Sequence, residues 1–594
     1  MIDRTTKLRW RRRVRLGKRQ VEELGTQAEE GLERHFFKRF SRLTRVRRFI
    51  AAWVMLFTLL IGGVLYQTRA LGKYYLTDQP APGGIFTEGI LGSFTNANPI
   101  YASGSVDSSV TKLLFAGLFK FDERNKLVGD LADRWTVGER GLTYTVYLRP
   151  NLKWQDGVPL TSADVLYTYE MIQNPDAKSP LATSWQGIKV SAPKPDMVVF
   201  VLPNVLSAFP LSMTNGIVPK HRLEGFPASQ LRSVGFNTKT PVGAGPFKLD
   251  GIEVVGKTAE DREQYVGLVP NPQYHAGPPK VERFIIRSFR NEKRLAEALR
   301  KNEVSAAAGL SVLPEDLKKN TEFTDYNIPL NSQVLVFFKT TGEILKDTKV
   351  RQALGFATNP PAILQGLGRP VLPSNEPLLV NQVGYDKAAA QNVNDPKKAK
   401  QLLDDAGWKL GQAGIRTKNG VKLSFSLYTQ TNSTYDYVAQ QLKQQWRSLG
   451  VDISIRQQSD EELQTTLAFH NYDALLYGIT LGADPDVFVY WHSSQADIRS
   501  PNRLNFSEYH SGTADKALEA GRTRDDPTIR AVKYRPFLDA WRDDVPAIAL
   551  YQPRYLYVVH GKIANFQPVA LNAAADRYNN VANWLIRSVP QPIR

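Results

Sequence analysis

The octet Gly251-Ile252-Glu253-Val254-Val255-Gly256-Lys257-Thr258 has the spacing G-x-x-x-x-G-K-[ST]. In a phosphate loop that spacing lets backbone N–H groups, a lysine and a hydroxyl wrap a phosphate between a strand and a helix. Here the interior holds Ile252, Val254 and Val255, whose branched side chains favour extended backbone. A hairpin turn is therefore expected, not a nucleotide site. Asp484 and Asp486 have the residue types for acid–base work. Either side of Pro485 they read better as turn and cap residues. Ser103, Ser105, Ser108 and Ser109 crowd near Asn98-Pro99 and are expected in a polar loop at a cleft rim. Neither H-E-x-x-H nor G-x-S-x-G occurs. Of the 7 histidines, His221, His275, His470, His492 and His510 show no ligand spacing. His470 and His492 are expected on surface turns. Cysteine is absent, which removes disulfides, thiolate metal sites, cysteine nucleophiles and a lipid-modified cysteine. The chain is expected to be no enzyme, with no catalytic residue, no metal (nickel and heme included) and no cofactor.

The elements around these residues are mixed. Thr161-Ser162-Ala163-Asp164 precedes the helical spacing of Val165–Ile172, with Thr161 or Ser162 as N-cap. Pro396–Ala406 reads as a helix stopped by Gly407, and Tyr435–Leu449 as another stopped by Gly450. Tyr144–Leu148, Lys422–Tyr428 and Val451–Ile455 are strand-like. Helix and strand alternate, so the body is α/β, a mixed α+β arrangement. A chain of 594 residues exceeds one compact core and implies several lobes.

The N-terminal region differs. Of the net +18, residues 1–48 carry 16 Lys/Arg against 6 Asp/Glu, a net of +10, and leave +8 for the other 546 residues. The excess is a local tail and not a basic groove, so no nucleic acid is expected as partner. Residues 49–66 contain no charge, enough to cross a hydrocarbon layer as a helix. Arg42, Arg45, Arg47 and Arg48 precede it and only Arg69 and Lys73 follow closely, which puts the N-terminus inside and the body outside. Thr68-Arg69-Ala70 is a poor signal-cleavage site, so an uncleaved anchor is expected. Residues 67–84 end in Gln79-Pro80-Ala81-Pro82-Gly83-Gly84 and read as a linker.

One long series of motifs is more specific. Leu142–Pro150 followed by Lys153-Trp154-Gln155-Asp156-Gly157-Val158-Pro159-Leu160-Thr161-Ser162-Ala163-Asp164-Val165 resembles the signature of family 5 extracellular solute-binding proteins, the dipeptide-, oligopeptide- and nickel-binding proteins of ABC importers. Leu118–Phe121, Asp130–Trp135, Pro241–Phe247, Val350–Ala357, Lys398–Trp408, Asp484–Asp486 and Pro546–Tyr551 continue the resemblance in family order. Together they cover about residues 84–590.

The resemblance implies a two-lobed periplasmic-binding-protein type II fold with an extra subdomain and two crossing strands, near Tyr326–Gln333 and Leu550–Tyr557. With the N-terminal features, the expected plan is a basic cytoplasmic segment over 1–48, a transmembrane helix over 49–66 and a linker over 67–84. Lobe I follows over 85–327, with its extra subdomain at about 111–236; then lobe II over 328–555 and a C-terminal return to lobe I over 556–594. Ligand contacts are expected at Asn98, Tyr101, Trp185, Tyr477, Gly478, Ile479, Thr480, Leu481, Asp484 and Trp491. In peptide-binding relatives an aspartate three residues before the Asp-Pro-Asp position pairs with the ligand's α-amino group. Here that position is Leu481, which argues against a simple free-amino peptide in that pose. A blocked or longer peptide, a sugar-like molecule or an unrelated solute stays open. The implied role is the binding subunit of an importer: a monomer at the cytoplasmic membrane, partnered by ABC permease subunits and a peptide or other small solute. A membrane-held sensor signalling through residues 1–48, or a non-peptide receptor, is the alternative.

Overall fold

A computed structural model describes residues 47–592, apart from 139–140, 259–260, 393, 412, 498, 501–502 and 525. The basic segment expected over 1–48 lies almost wholly outside the described residues. The chain divides into two compact units, residues 1–79 with 588–594, and Pro80–Arg587.

Among the described residues of the first unit a helix runs Arg47–Tyr75. Its stretch Phe49–Arg69 is 21 residues long with mean hydropathy 2.2, and none of it is buried. At 1.5 Å per residue that spans about 31 Å, the thickness of a hydrocarbon layer. The linker expected over 67–84 is corrected. Residues 67–75 continue the helix, and Leu76–Ala81 forms a two-stranded ribbon with Arg587–Pro592. Pro80 is tolerated because a ribbon leaves one edge of each strand without ladder bonds.

The second unit carries two large sheets. Lobe I has seven strands in the order Phe323–Pro329, Arg554–His560, Ala306–Ala308, Ile85–Leu91, Arg283–Phe289, Glu263–Pro270, Phe247–Val255. Lobe II has six: Leu372–Pro373, Ala547–Gln552, Ser332–Phe338, Ala474–Thr480, Ser424–Gln430, Asp452–Gln458. The chain passes between the sheets at Leu330-Asn331 and at Pro553. Each lobe has its own buried clusters: Phe86, Trp154, Phe284 and Trp584 belong to one, Phe338, Trp446 and Tyr551 to another. An additional four-stranded sheet, Ala132–Val137, Thr143–Leu148, Met197–Val201, Lys189–Lys194, extends lobe I.

Local chemistry explains several boundaries. Thr161 caps the helix Ser162–Gln173 and forms a reciprocal capping box with Asp164. Gly407 and Gly450 adopt φ of +82° and +84°, a conformation that glycine takes without strain, where the helices Pro396–Asp405 and Ser433–Arg447 give way to strands. The phosphate-loop octet lies in an antiparallel hairpin, with Val255 opposite Glu263 and Ile252 opposite Val266. Gly256 turns it at φ +110°, where a Cβ would lie 2.2 Å from the Asp261 carbonyl oxygen. The next described element after Lys257 is the strand Glu263–Pro270 and not the helix that a phosphate cradle requires.

Candidate functional site

The strand Ala474–Thr480 is paired along its full length with Ser332–Phe338 on one side. On the other side Ser424–Gln430 runs parallel but pairs only Leu427–Thr429 with Ala474–Leu476. Its next residue, Gln430, stays with Gln458. Asn432 then caps the helix Ser433–Arg447 and takes the chain away. At the last paired position Thr429 Oγ1 donates to the Leu476 carbonyl at 3.0 Å. Carbonyls of alternate residues point the same way along a strand, so Gly478 presents its N–H and C=O to the side where no strand follows. Tyr477–Thr480 is thus a half-open sheet edge, a template for another extended chain.

Each face of this edge is furnished differently. On the Tyr477 face a cavity of about 360 Å³ is lined by Leu467, Tyr490, Arg503, Leu504 and Phe506 together with Tyr477–Thr480. Tyr490 Oη donates to the Thr480 carbonyl at 2.8 Å. Arg503 is engaged with Glu508 at 3.0 Å and so shapes the wall instead of offering a free charge. On the Gly478 face a Cβ would lie 2.8 Å from Tyr435 Oη, which accounts for glycine at this position. Burial pushes the Tyr435 hydroxyl up, Tyr551 and Tyr477 add to this, and Arg369 opposes it. Tyr435 therefore stands over Gly478, within reach of the charge of Arg369.

The expected site residues divide. Tyr477, Gly478, Ile479 and Thr480 form the edge just described. Leu481 packs into the lobe II core, and its N–H donates to the Asn331 carbonyl at 2.8 Å. Three others are buried in this conformation. Asn98 is fully buried and donates to Asn237 Oδ1 at 3.1 Å, with its own Oδ1 accepting from Ile100 N–H. Trp185 stacks on Tyr169 at 3.9 Å between ring centres and backs a cavity of about 400 Å³ lined by lobe I and the C-terminal segment. Trp491 stacks on Phe337 within the lobe II core. Tyr101 is 3% exposed, with the Arg232 guanidinium 5.6 Å from its ring centre, and burial raises its hydroxyl against the opposing charge of Arg232. Both carboxylate oxygens of Asp484 bond Arg530, and Oδ1 also accepts from Asp486 N–H, so the pair Asp484/Asp486 serves the turn. Asp486 pairs with Arg522 at 3.0 Å.

Two further expectations are corrected. Ser105, Ser108 and Ser109 belong to the helix Ser105–Leu114 and not to a loop, and Ser109 Oγ accepts from Arg577. His470 and His492 are buried: His470 Nδ1 lies 3.2 Å from Glu508 and His492 Nε2 3.2 Å from Glu519. Sequence reasoning missed Arg369, Tyr435, Tyr490 and Phe506. Of these only Arg369 carried a local signal, as a cation in the Gly366-Leu367-Gly368-Arg369-Pro370 loop.

Two separately cored α/β lobes, joined by two crossing strands and leaving an open strand edge beside one crossing, define a two-lobed solute-binding protein. Comparison with known proteins agrees. The family model for bacterial extracellular solute-binding proteins, family 5, matches residues 126–500. The chain belongs to that family. It is 27% identical over 523 residues to the oligopeptide-binding protein AppA of Bacillus subtilis, covering 86% of this chain and 93% of AppA. Among solved structures it resembles NikZ from Campylobacter jejuni in complex with Ni(L-His), at TM-score 0.70 and 27% identity, covering 84% of this chain and 99% of NikZ. AppA from Bacillus subtilis in complex with a nonapeptide shares the fold at TM-score 0.69 and 24% identity, covering 86% of this chain and 100% of that one.

Proposed function

We propose that this protein is the extracytoplasmic receptor of an ABC importer, which binds a peptide or peptide-like solute as an added strand along Tyr477–Thr480 and hands it to membrane permease subunits. The half-open edge is the observation that carries the reading: its free backbone groups recognise peptide bonds of any sequence, while the cavity beside Tyr477 accepts a side chain. Lobe I over 85–327 with its return over 556–594, and lobe II over 328–555, act as the two jaws. Ser207 N–H and Oγ both donate to the Arg522 carbonyl, at 3.1 and 2.9 Å, and so supply a contact from one jaw to the other. A solute that touches both jaws favours their closed arrangement by its extra contacts. The likeness to the oligopeptide-binding protein AppA supports the choice of solute. The helix through Phe49–Arg69 anchors a monomeric receptor in the cytoplasmic membrane, with its basic segment inside and the body outside.

The test uses the full chain in detergent with a panel of tri- to pentapeptides, read by native mass spectrometry and thermal shift. Peptides that bind are then N-methylated one bond at a time, which removes single N–H donors and spares the protein. Methylation at alternate positions is expected to weaken binding about tenfold or more. Equal binding of every methylated form would refute strand addition. For the anchor, the chain is expected to stay in the membrane through an alkaline carbonate wash; release into the supernatant refutes it.

A further inference from the structure

A cavity of about 290 Å³ lies where the crossing strands meet lobe II. Asn327, Arg554 and Leu556 line it from lobe I, and Gly368, Arg369 and Pro370 from lobe II. Two guanidiniums share it, one from each lobe. The Nε atoms of Arg369 and Arg554 are both buried without a hydrogen-bond partner. Neither side chain forms an ion pair among the described residues. Three buried guanidiniums elsewhere are matched to carboxylates, Arg577 to Glu88 at 2.6 Å, Arg416 to Asp404 at 2.5 Å and Arg287 to Glu263 at 2.6 Å, and a fourth, Arg351, is satisfied by backbone carbonyls. Arginine keeps its charge at any physiological pH, and these two, half-buried at the cavity with an unused Nε–H each, offer donors to an anion. The acids on the cavity wall do not fill this role. Glu315 pairs with Lys318 at 3.7 Å, and Asp325 accepts from Asn327 Nδ2 at 2.9 Å.

Arg369 also connects to the open edge. Its charge acts on the Tyr435 and Tyr551 hydroxyls, and Tyr435 stands over Gly478. At the other end of the edge Leu481 offers an ammonium no counter-charge. The charge that the site lacks is therefore negative.

We propose that the cavity takes a carboxylate of the solute, held by Arg369 from lobe II and Arg554 from lobe I, so that the transported class is acidic and its anion bridges the two lobes. The planar fork of guanidinium matches carboxylate geometry. The proposal rests on the solute-binding reading and adds to it the sign of the solute's charge.

The experiment uses the full chain in detergent and a paired panel. N-acetyl tripeptides, unblocked tripeptides and gluconate are each presented as free carboxylate and as matched carboxamide. Affinity is read by tryptophan fluorescence and thermal shift. At least one carboxylate is expected to bind, and its carboxamide to bind about tenfold or more weakly. Arg369→Gln and Arg554→Gln should each lose that discrimination, while Arg369→Lys and Arg554→Lys recover part of it. Unliganded melting temperatures within a few degrees of the parent establish that the variants fold. Equal affinity for acid and amide overturns the proposal and leaves the receptor reading intact. Acid preference that survives both glutamine variants also overturns it, because the anion then sits elsewhere. No response from any member overturns the proposal together with the peptide-or-acid reading beneath it.

Discussion

Glu376 offers a direct probe of how lobe II tolerates a charge beside the crossing strand. Its residue is fully buried, and its backbone carbonyl accepts from Gln333 Nε2 at 2.6 Å. Oε2 accepts from Asp386 N–H at 3.3 Å, while Oε1 is buried with no partner. Burial pushes this carboxyl up to about 8, and Arg535 opposes the rise only in part, since Arg535 is already bound by Asp386 and Asp539. The folded state therefore keeps a proton that the unfolded chain releases from its ordinary value of 4.5. The stabilisation is fully present below that value and is lost as pH rises to about 8. At about 1.4 kcal/mol per pH unit, the loss is roughly 3 kcal/mol at pH 7 and roughly 5 kcal/mol above pH 8, as an order of magnitude. Glu376→Gln does not titrate. Relative to the parent it should gain little near pH 4.5 and roughly 3 kcal/mol at pH 7, or about 3–6 °C at about 1–2 °C per kcal/mol for a body of this size. Differential scanning calorimetry of both proteins across this range isolates the residue, because every other group cancels in the difference. A gap that does not change with pH, or a variant less stable than the parent at pH 8, would refute the reasoning.

Two further outcomes follow from the buried charges. Glu88 and Arg577 are both fully buried at 2.6 Å, with Tyr578 Oη donating to Glu88 at 2.8 Å and Tyr557 Oη at 3.0 Å; Glu88→Gln should cost about 3–5 kcal/mol in chemical denaturation because Arg577 is left uncompensated, and a loss below about 1 kcal/mol would sink that account. Burial opposes ionisation of Glu508, but hydrogen bonds from His470 and Thr341 and the charge of Lys339 win and hold its carboxyl at about 2. Its stabilisation is present above the ordinary value of 4.5 and lost as pH falls toward 2, so Glu508→Gln should melt well below the parent at pH 6 and converge with it near pH 2. A constant gap between the two curves would contradict this.

How much could be read in advance depended on where the determining partner sat. The helix cap at Thr161 needs only Asp164, three residues away, and Gly407 and Gly450 stop their helices by their own backbone freedom. The hairpin at Gly251–Thr258 was legible because Ile252, Val254 and Val255 prefer extended backbone wherever they sit. Leu76–Ala81 was not, because its pairing strand Arg587–Pro592 lies at the far end of the chain and nothing near Pro80 announces it. His470 looked like a surface turn, and it does take φ of +50° at a helix end. Its burial comes from Glu508 and the Arg503 carbonyl, more than thirty residues on. The burial of the aromatic candidates was hidden for the same reason. Trp185 and Trp491 become core only through Tyr169 and Phe337, and a tryptophan in sequence does not say which face its neighbours will cover.

The same distinction explains where a solute acts on this molecule. Lobe cores are separate, and only Leu330-Asn331 and Pro553 carry the chain across. Those crossings are tied to one another: Leu330 N–H donates to the Pro553 carbonyl at 3.0 Å, and Gln552 Nε2 to the Leu330 carbonyl at 2.8 Å. The two crossings therefore form one hydrogen-bonded joint between the lobes. Arg554 follows Pro553 directly, and Arg369 approaches it from lobe II across the cavity. On the proposal above an anion seated between them would touch both lobes at that joint, whereas the cavity beside Tyr477–Thr480 is lined by lobe II alone. Since a solute shifts the closed population only by its differential affinity for that state, the carboxylate is the part of the solute that would close the jaws, and the strand edge is the part of the site that would hold what they close upon.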